Sequence, residues 1–349
     1  MGVMTRTRWI LILLLTLPLR ATAGGAPESA REVKGMTISC QTWGAEWGTD
    51  SFAAELDELK QLGVNWIAIH PYAWIRRDGS LSWQELDTAN PPEWLARPIR
   101  EATARNMSLF VKPHIGYWGS PFSWRGEIDY PDREQRQRFF ADYKRWILQV
   151  AECTKDAGAF AVGTELALLN RPEDEPVWRD LIRSVREVTK AHLTYAANWD
   201  VYRDLRFWDA LDVVGVQAYF PIAVGETPTD RELSEGWQVV VKELASFHER
   251  TGKPVVLTEL GYNRSLVAAR EPWSHISAKR SDAPAAELQR RLLRIGLETL
   301  APEREWLRGA FLWKWFAGEA PRANFMLDTP ALREVIQSVW RATANEPSK

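Results

Sequence analysis

Eight short, apolar, β-rich runs recur along this chain, each followed by a longer segment, and that alternation restricts the fold more than any single motif. The runs are Met36 to Cys40, Val64 to Ile69, Ser108 to Lys112, Phe160 to Gly163, Leu193 to Ala197, Val213 to Gln217, Val255 to Thr258 and Ala310 to Trp313. Between them the pattern turns helical. Phe52, Leu56, Leu59 and Leu62 fall on one face of Ser51 to Leu62. Pro92 to Arg105, Arg133 to Asp156, Val177 to Thr189, Arg231 to Thr251, Ala286 to Thr299 and Pro330 to Trp340 continue the series, with a weakly patterned helix expected around Arg203 to Leu211. Eight strands with helical crossovers and no linker predict an α/β fold: a single-domain, closed parallel (β/α)8 TIM barrel over residues 24–349. An open doubly wound sheet fits the alternation too, but no GxGxxG follows the first run.

The N-terminus reads differently. Arg6 and Arg8 precede the apolar run Ile10 to Leu17, and the small-residue stretch Ala21-Thr22-Ala23 follows. The run is shorter than the roughly 20 residues that span a bilayer, so residues 1–23 are expected to be a signal peptide of an exported (secreted or periplasmic) protein. A retained anchor is the alternative, because Arg20 follows the run closely; after removal of the segment no membrane insertion is expected. A net charge of -2 gives no electrostatic reason for a nucleic-acid partner. The two cysteines, Cys40 and Cys153, are expected to be buried apolar residues and not a bridge. The five dispersed histidines, with no HExxH, predict no metal.

Nineteen tryptophans in 349 residues call for a reason. Trp66 and Trp146 lie in periodic apolar runs and are expected in the core. Trp43, Trp47, Trp118, Trp124, Trp199, Trp313 and Trp315 fall at or beyond predicted strand ends. Flat rings there suit the C–H faces of sugars, and equally a protein-interaction surface. In a barrel the reactive groups close the strands, so the residues after each run are the informative ones. In chain order they are Gln41-Thr42-Trp43, His70-Pro71-Tyr72, Lys112-Pro113-His114, Gly163-Thr164-Glu165-Leu166, Asn198-Trp199-Asp200, Gln217-Ala218-Tyr219, Thr258-Glu259-Leu260-Gly261-Tyr262 and Trp313-Lys314-Trp315.

Two glutamates stand on this rim, Glu165 after the fourth strand and Glu259 after the seventh. Strands three apart lie about 14 Å across a barrel of roughly 8 Å radius, and two inward side chains of about 4 Å each leave on the order of 6 Å between carboxyls. That spacing lies between the ~5–5.5 Å of retaining and the ~6.5–9.5 Å of inverting glycosidases. Either Glu alone is explained as well by a cap or an ion pair in its own loop. Both on one rim, among aromatic and amide groups, point to paired-carboxylate hydrolysis.

The segments Gly163-Thr164-Glu165-Leu166 and Thr258-Glu259-Leu260-Gly261-Tyr262 resemble the signatures of glycoside hydrolase family 113, a member of clan A. In element order the resemblance covers essentially the whole chain after the N-terminal segment, although the motifs are short. It implies a retaining endo-β-1,4-mannanase with Glu259 as nucleophile, oriented by the Tyr219 hydroxyl, and Glu165 as acid/base, with no cofactor. Many clan members place Asn directly before the acid/base, whereas this chain has Thr164, which leaves open the group that binds the sugar 2-hydroxyl. His70, Lys112, His114, Asn198 and Trp199 are expected to bind sugar hydroxyls, Trp43 and Trp313 to stack on sugar faces, and Tyr72 and Tyr219 to line the same site. The expected partner is a polysaccharide or oligosaccharide. Another clan A β-glycanase or β-glycosidase is the enzymatic alternative; a non-catalytic carbohydrate-binding barrel would keep the tryptophan rim without needing both glutamates, whose presence speaks against it. The long segments Gly116 to Asp132 and Asn263 to Pro284 wall either an open cleft or a closed pocket, so endo and exo action both stay open.

Overall fold

The strands of the barrel close around a few interior side chains. In the computed structural model, which describes residues 1–2, 32–275, 282–318 and 324–342, the expected signal peptide therefore falls almost wholly outside the described residues, as does part of the loop after Asn263. Strands β1 (Val33–Ser39), β2 (Trp66–Ile69), β5 (Ser108–Val111), β7 (Ala159–Thr164), β8 (His192–Asn198), β9 (Val214–Gln217), β10 (Val255–Leu260) and β11 (Leu307–Phe316) pair in parallel in the order β1-β11-β10-β9-β8-β7-β5-β2 and close on themselves. These are the eight predicted strands. Phe311 of β11 meets Phe110 of β5 with ring centroids 4.8 Å apart and Trp66 of β2 at 6.1 Å, although β11 pairs with neither strand. Such contacts cross the lumen, so Trp66, Ala68, Phe110, Ala161, Val256 and Phe311 form the plug inside the barrel.

Outside it, α1 (Asp50–Gln61), α2 (Glu93–Ala104), α3 (Arg133–Cys153), α4 (Glu175–Val188), α5 (Asp230–Thr251), α6 (Ala283–Leu300) and α7 (Pro330–Ala342) bury their apolar faces against the strands. Their starts are set locally. Thr49, Asp132 and Asp282 each accept a bond from a first-turn N–H, and Thr229 and Glu232 form a reciprocal capping box before α5. Both cysteines are free thiols, Cys153 buried and Cys40 partly so.

Two local features depart from simple strand-helix alternation. Between β8 and β9, in place of a helix over Arg203 to Leu211, stand two short 3-10 turns, Tyr202–Asp204 and Trp208–Ala210, separated by extended Leu205. That break lets Tyr202, Leu205, Phe207, Trp208 and Leu211 all reach the core, which one continuous helix face cannot do, and the Trp208 indole donates to the Tyr202 carbonyl at 2.8 Å. The second concerns the rim. After β2 and β5 the chain does not leave the sheet region at once: β3 (Tyr72–Ile75), β4 (Leu81–Ser82) and β6 (His114–Gly116) form a small separate sheet in the order β4-β3-β6. Pro71 and Pro113 stand at the two break points, where the missing N–H cannot continue a barrel ladder.

Close backbone approach explains Gly215. A Cβ there would sit 2.5 Å from the Tyr195 carbonyl oxygen and 2.6 Å from the Thr194 hydroxyl, neither of which can swing away. Gly215→Ala is therefore expected to destabilise the fold by about 1–3 kcal/mol, read from the urea midpoint at unchanged m-value.

Candidate active site

Glu259 reaches the barrel axis because its strand is irregular. Against β9, Leu257 pairs with Val216 and Glu259 with Gln217, so two steps on β10 oppose one on its neighbour. The bulge at Thr258 re-aims the following side chain. Glu259 is 3 % exposed, and both its oxygens are engaged: Lys112 donates to Oε1, and the Tyr219 hydroxyl donates to Oε2 at 2.5 Å. Lys112 Nζ also faces the Thr258 carbonyl at 3.3 Å and Gln217 Oε1 at 3.5 Å, and Thr258 Oγ1 donates to that same amide oxygen at 2.9 Å. Burial lowers the Lys112 ammonium from its ordinary pKa, with the Glu259 charge opposing. Burial and the same charge push the Tyr219 phenol well up, so it stays a donor.

Glu165 is held by different means. Its φ of 56° is left-handed, a region that costs a non-glycine residue roughly 1–2 kcal/mol. Its N–H donates to the Ala196 carbonyl at 2.9 Å, and the next N–H, of Leu166, donates to the Tyr195 hydroxyl at 2.9 Å, which fixes the turn from both sides. Oε2 accepts from Arg125 Nη1 at 2.6 Å. Burial raises the Glu165 pKa, the Arg125 guanidinium opposes it, and the negative charge of Glu259 adds to the rise. The two carboxyls thus sense one another but have unlike surroundings.

The other predicted residues divide into three groups. His70 and Lys112 are wholly buried and His114 nearly so; none offers appreciable surface to a ligand. The imidazoles stack on each other at 4.9 Å, and His70 lies 5.4 Å from the Trp313 ring, with burial foremost and nearby cations next in holding both histidines neutral. His114 Nε2 stands 3.8 Å from Glu259 Oε1. Tyr72 and Trp313 are half-buried around this cluster, Tyr72 edge-on to His70 and Trp313 beneath the ammoniums of Lys112 and Lys314 at 5.2 and 5.1 Å. At the rim, exposed Trp43 packs against Trp94, while half-buried Trp199 stacks on exposed Trp273 at 5.5 Å and 16°. Asn198 pairs through its backbone with Gln217 beside them.

Two of the tryptophans expected at the rim are sealed in the core, and a third is half-buried in its loop. Trp47 is buried, donating to the Ile38 carbonyl, and Trp315 is buried, donating to Glu55. Trp124 folds across Gly126, where a Cβ would sit 2.0 Å from the indole. Conversely, Arg125 and Trp273 escaped sequence reasoning: both lie in long loops without periodicity, and only loop length pointed to them. Among the described residues, no three His, Cys, Asp or Glu side chains are grouped to hold a metal.

Comparison with known proteins supplies the remaining facts. The model of glycoside hydrolase family 113 matches residues 36–328. A family 113 β-mannanase from Alicyclobacillus acidocaldarius, solved with the ligand ManMIm, is similar with a TM-score of 0.74 and 23% identity, over 90% of this chain and 98% of that one. A family 113 β-1,4-mannanase gives 0.74 at 20% identity, over 89% and 99%. A mutant family 5 mannosidase from Rhizomucor miehei gives 0.59 at 12% identity, over 90% and 94%. At such identities the structures speak for the fold. No curated protein matches the sequence.

Removing one partner from a buried ion pair leaves the other charge uncompensated. Lys112→Met is expected to lower stability by about 3–5 kcal/mol, and Lys112→Met/Glu259→Gln to recover most of it, as read from urea unfolding. A loss in the single variant below about 1 kcal/mol would show that removing Lys112 leaves no costly uncompensated charge at Glu259.

Proposed function

The chain belongs to glycoside hydrolase family 113, and from that premise we propose that it hydrolyses β-1,4-mannan with retention, using Glu259 as nucleophile and Glu165 as acid/base. The observation that carries the assignment is the asymmetry of the two carboxyls. Glu259 meets donors at both oxygens, Lys112 and Tyr219, as an attacking carboxylate requires. Glu165 is raised toward the protonated form by burial and by the Glu259 charge, as a proton donor requires. Glu165 passes its proton to the glycosidic oxygen as Glu259 bonds to the anomeric carbon and the leaving sugar departs. Water then gives its proton to Glu165 and its oxygen to the anomeric carbon, freeing Glu259. These steps call on no cofactor.

Endo action is proposed from the placement of aromatic faces. Going from β7 to β10 one way around the barrel passes β8 and β9, and the other way passes β5, β2, β1 and β11. Trp199, after β8, and its stacked partner Trp273 stand on the first side; Trp313, Tyr72 and exposed Trp118 stand on the second. Sugar-binding faces on both sides of the carboxylates support a chain that runs through the site. Export rests on the N-terminal sequence alone: Arg6, Arg8, the Ile10 to Leu17 run and Ala21-Thr22-Ala23.

Hydrolysis of β-1,4-mannan and mannooligosaccharides, with cello-oligosaccharides and xylan alongside, tests the activity. Glu165→Ala is expected to lower kcat/KM by about 10²–10⁴-fold and Glu259→Ala to abolish turnover, with NMR showing the retained anomer first. Cleavage confined to cello-oligosaccharides or xylan would overturn the substrate while keeping the carboxylate roles. Trp273→Ala is expected to weaken long mannooligosaccharides about tenfold in KM, the equivalent of ~1.4 kcal/mol, and to leave the shortest cleavable ones nearly unchanged. Equal losses at every length would refute the platform.

A further inference from the structure

Arg125 belongs to none of the strand-end motifs, yet its guanidinium reaches the acid/base candidate. It sits in the segment between β6 and α3, on a 3-10 turn, Arg125–Glu127, that begins after extended Trp124. The turn is fastened locally, with Ser123 donating through both N–H and hydroxyl to Glu127 and the Trp124 indole lying across Gly126. The segment is also fastened at its far end. Asp129 accepts from Arg136 at 2.7 Å and Arg171 at 2.5 Å, and Asp174 is paired with the same Arg136, so the loop after β6 and the loop after β7 share one ion-pair network. Both loops contribute to one contact, Arg125 from the first and Glu165 from the base of the second.

Within that contact the guanidinium has little freedom. Nε donates to the Ile115 carbonyl at 3.1 Å, Nη1 donates to Glu165 Oε2 at 2.6 Å, and the group lies 5.9 Å from the Tyr117 ring centre. The side chains of Arg125 and Glu165 are 11% and 14% exposed, enough to face a ligand and too little for free rotation. An oxygen that accepts from Arg125 within a buried pair is a poor place for a proton. From this geometry we infer that Arg125 is a positioning residue for Glu165: it occupies Oε2 and leaves Oε1 as the oxygen through which the proton passes, in both directions. The inference rests on the acid/base role proposed for Glu165.

A second consequence is electrostatic. The charged and titratable groups around Glu165 are Arg125 from its loop, Glu259 of β10, Lys112 at the end of β5, and the Tyr195 and Tyr219 phenols of β8 and the segment after β9. Both phenols are held neutral by burial. Of the two cations, only Arg125 bonds to Glu165 itself. A cation favours the ionised carboxyl, so its removal raises the pH at which Glu165 loses its proton.

The test is the pH profile of kcat/KM on mannooligosaccharides for wild type, Arg125→Met, Arg125→Gln and Arg125→Lys, with thermal unfolding measured on each and Glu165→Gln as control. Loss of the alkaline limb in Glu165→Gln assigns that limb to Glu165; its persistence there would overturn the acid/base reading and this inference with it. Given the assignment, Arg125→Met and Arg125→Gln are expected to move the limb upward and to lower kcat/KM about ten- to a hundredfold at the optimum, and Arg125→Lys to hold the limb near its wild-type position. Should Arg125→Met fail to fold, Arg125→Gln keeps a donor for the Ile115 carbonyl and carries the same expectation. A parallel fall in kcat/KM at every pH, with the limb unmoved in both neutral variants, would overturn the inference alone.

Discussion

A carboxylate at the mouth of an apolar barrel must find its partners inside the protein, and the Lys112–Glu259 pair is the constraint from which the rest of the site follows. Beneath it the lumen is filled by Trp66, Ala68, Phe110, Ala161, Val256 and Phe311, whose side chains, the Trp66 indole N–H apart, offer no hydrogen bonds. Desolvating two charges there costs several kcal/mol each before any attraction is counted. The remaining lone pairs and protons therefore have to be met as well, and they are met by Tyr219, Gln217 and the Thr258 carbonyl, all supplied by β9, β10 or the turn after β9. His70 and His114, stacked and neutral, fill the adjacent corner without adding charge. Lys112 comes from β5 and Glu259 from β10, strands that do not pair, so the ion pair also ties opposite walls of the barrel together.

Three backbone irregularities make this possible, each where regular strand geometry would aim a group wrongly. Alternation along β10 carries Val256 into the lumen, which predicts the inward face for Thr258 and the outward one for Glu259. The bulge changes that. On β7 a register shift between Ala161 and Thr164 precedes the left-handed turn at Glu165. Pro71 and Pro113 end the barrel ladders of β2 and β5 and hand the chain to the rim sheet, leaving His70 and Lys112 at the corners. Such departures persist only where surrounding contacts over-determine them, and here Ala196, Tyr195 and Asn170 do so around Glu165.

The same physics separates what was legible in the sequence from what was not. Strand and helix alternation is a long, repeated signal, and it located all eight barrel strands and the two acids that close them. The pairing of Tyr219 with Glu259 was implied by the family resemblance, and the structure brings the two together. Side-chain direction beyond a strand end carries no such periodicity. Trp43 and Trp47 stand four residues apart in similar surroundings, yet one is exposed and the other is sealed beneath its own loop. His70 and Lys112 read as ligand-facing groups in the sequence, and the structure buries both side chains. The rim strands Tyr72–Ile75 and His114–Gly116 are too short to announce themselves in the sequence. Arg125 has no local signature at all, since what defines it is a contact 40 residues away in sequence.

On the proposed cycle, the charge balance around Glu165 reverses without any atom of the scaffold having to move. Before attack, the negative Glu259 adds to burial in raising Glu165, while Arg125 and Lys112 pull the other way. Once Glu259 is esterified its charge is gone, and only burial still opposes the two cations at Glu165. The group that had to hold a proton for the first step is then driven to release it, as the leaving sugar takes it, and to stand ready as a base for water. Lys112 is the hinge of this reversal: it balances the nucleophile in the first state and, freed of that partner, acts on the acid/base in the second. An uncharged residue in its place would satisfy neither state, which is the physical reason for a lysine buried at the top of the barrel.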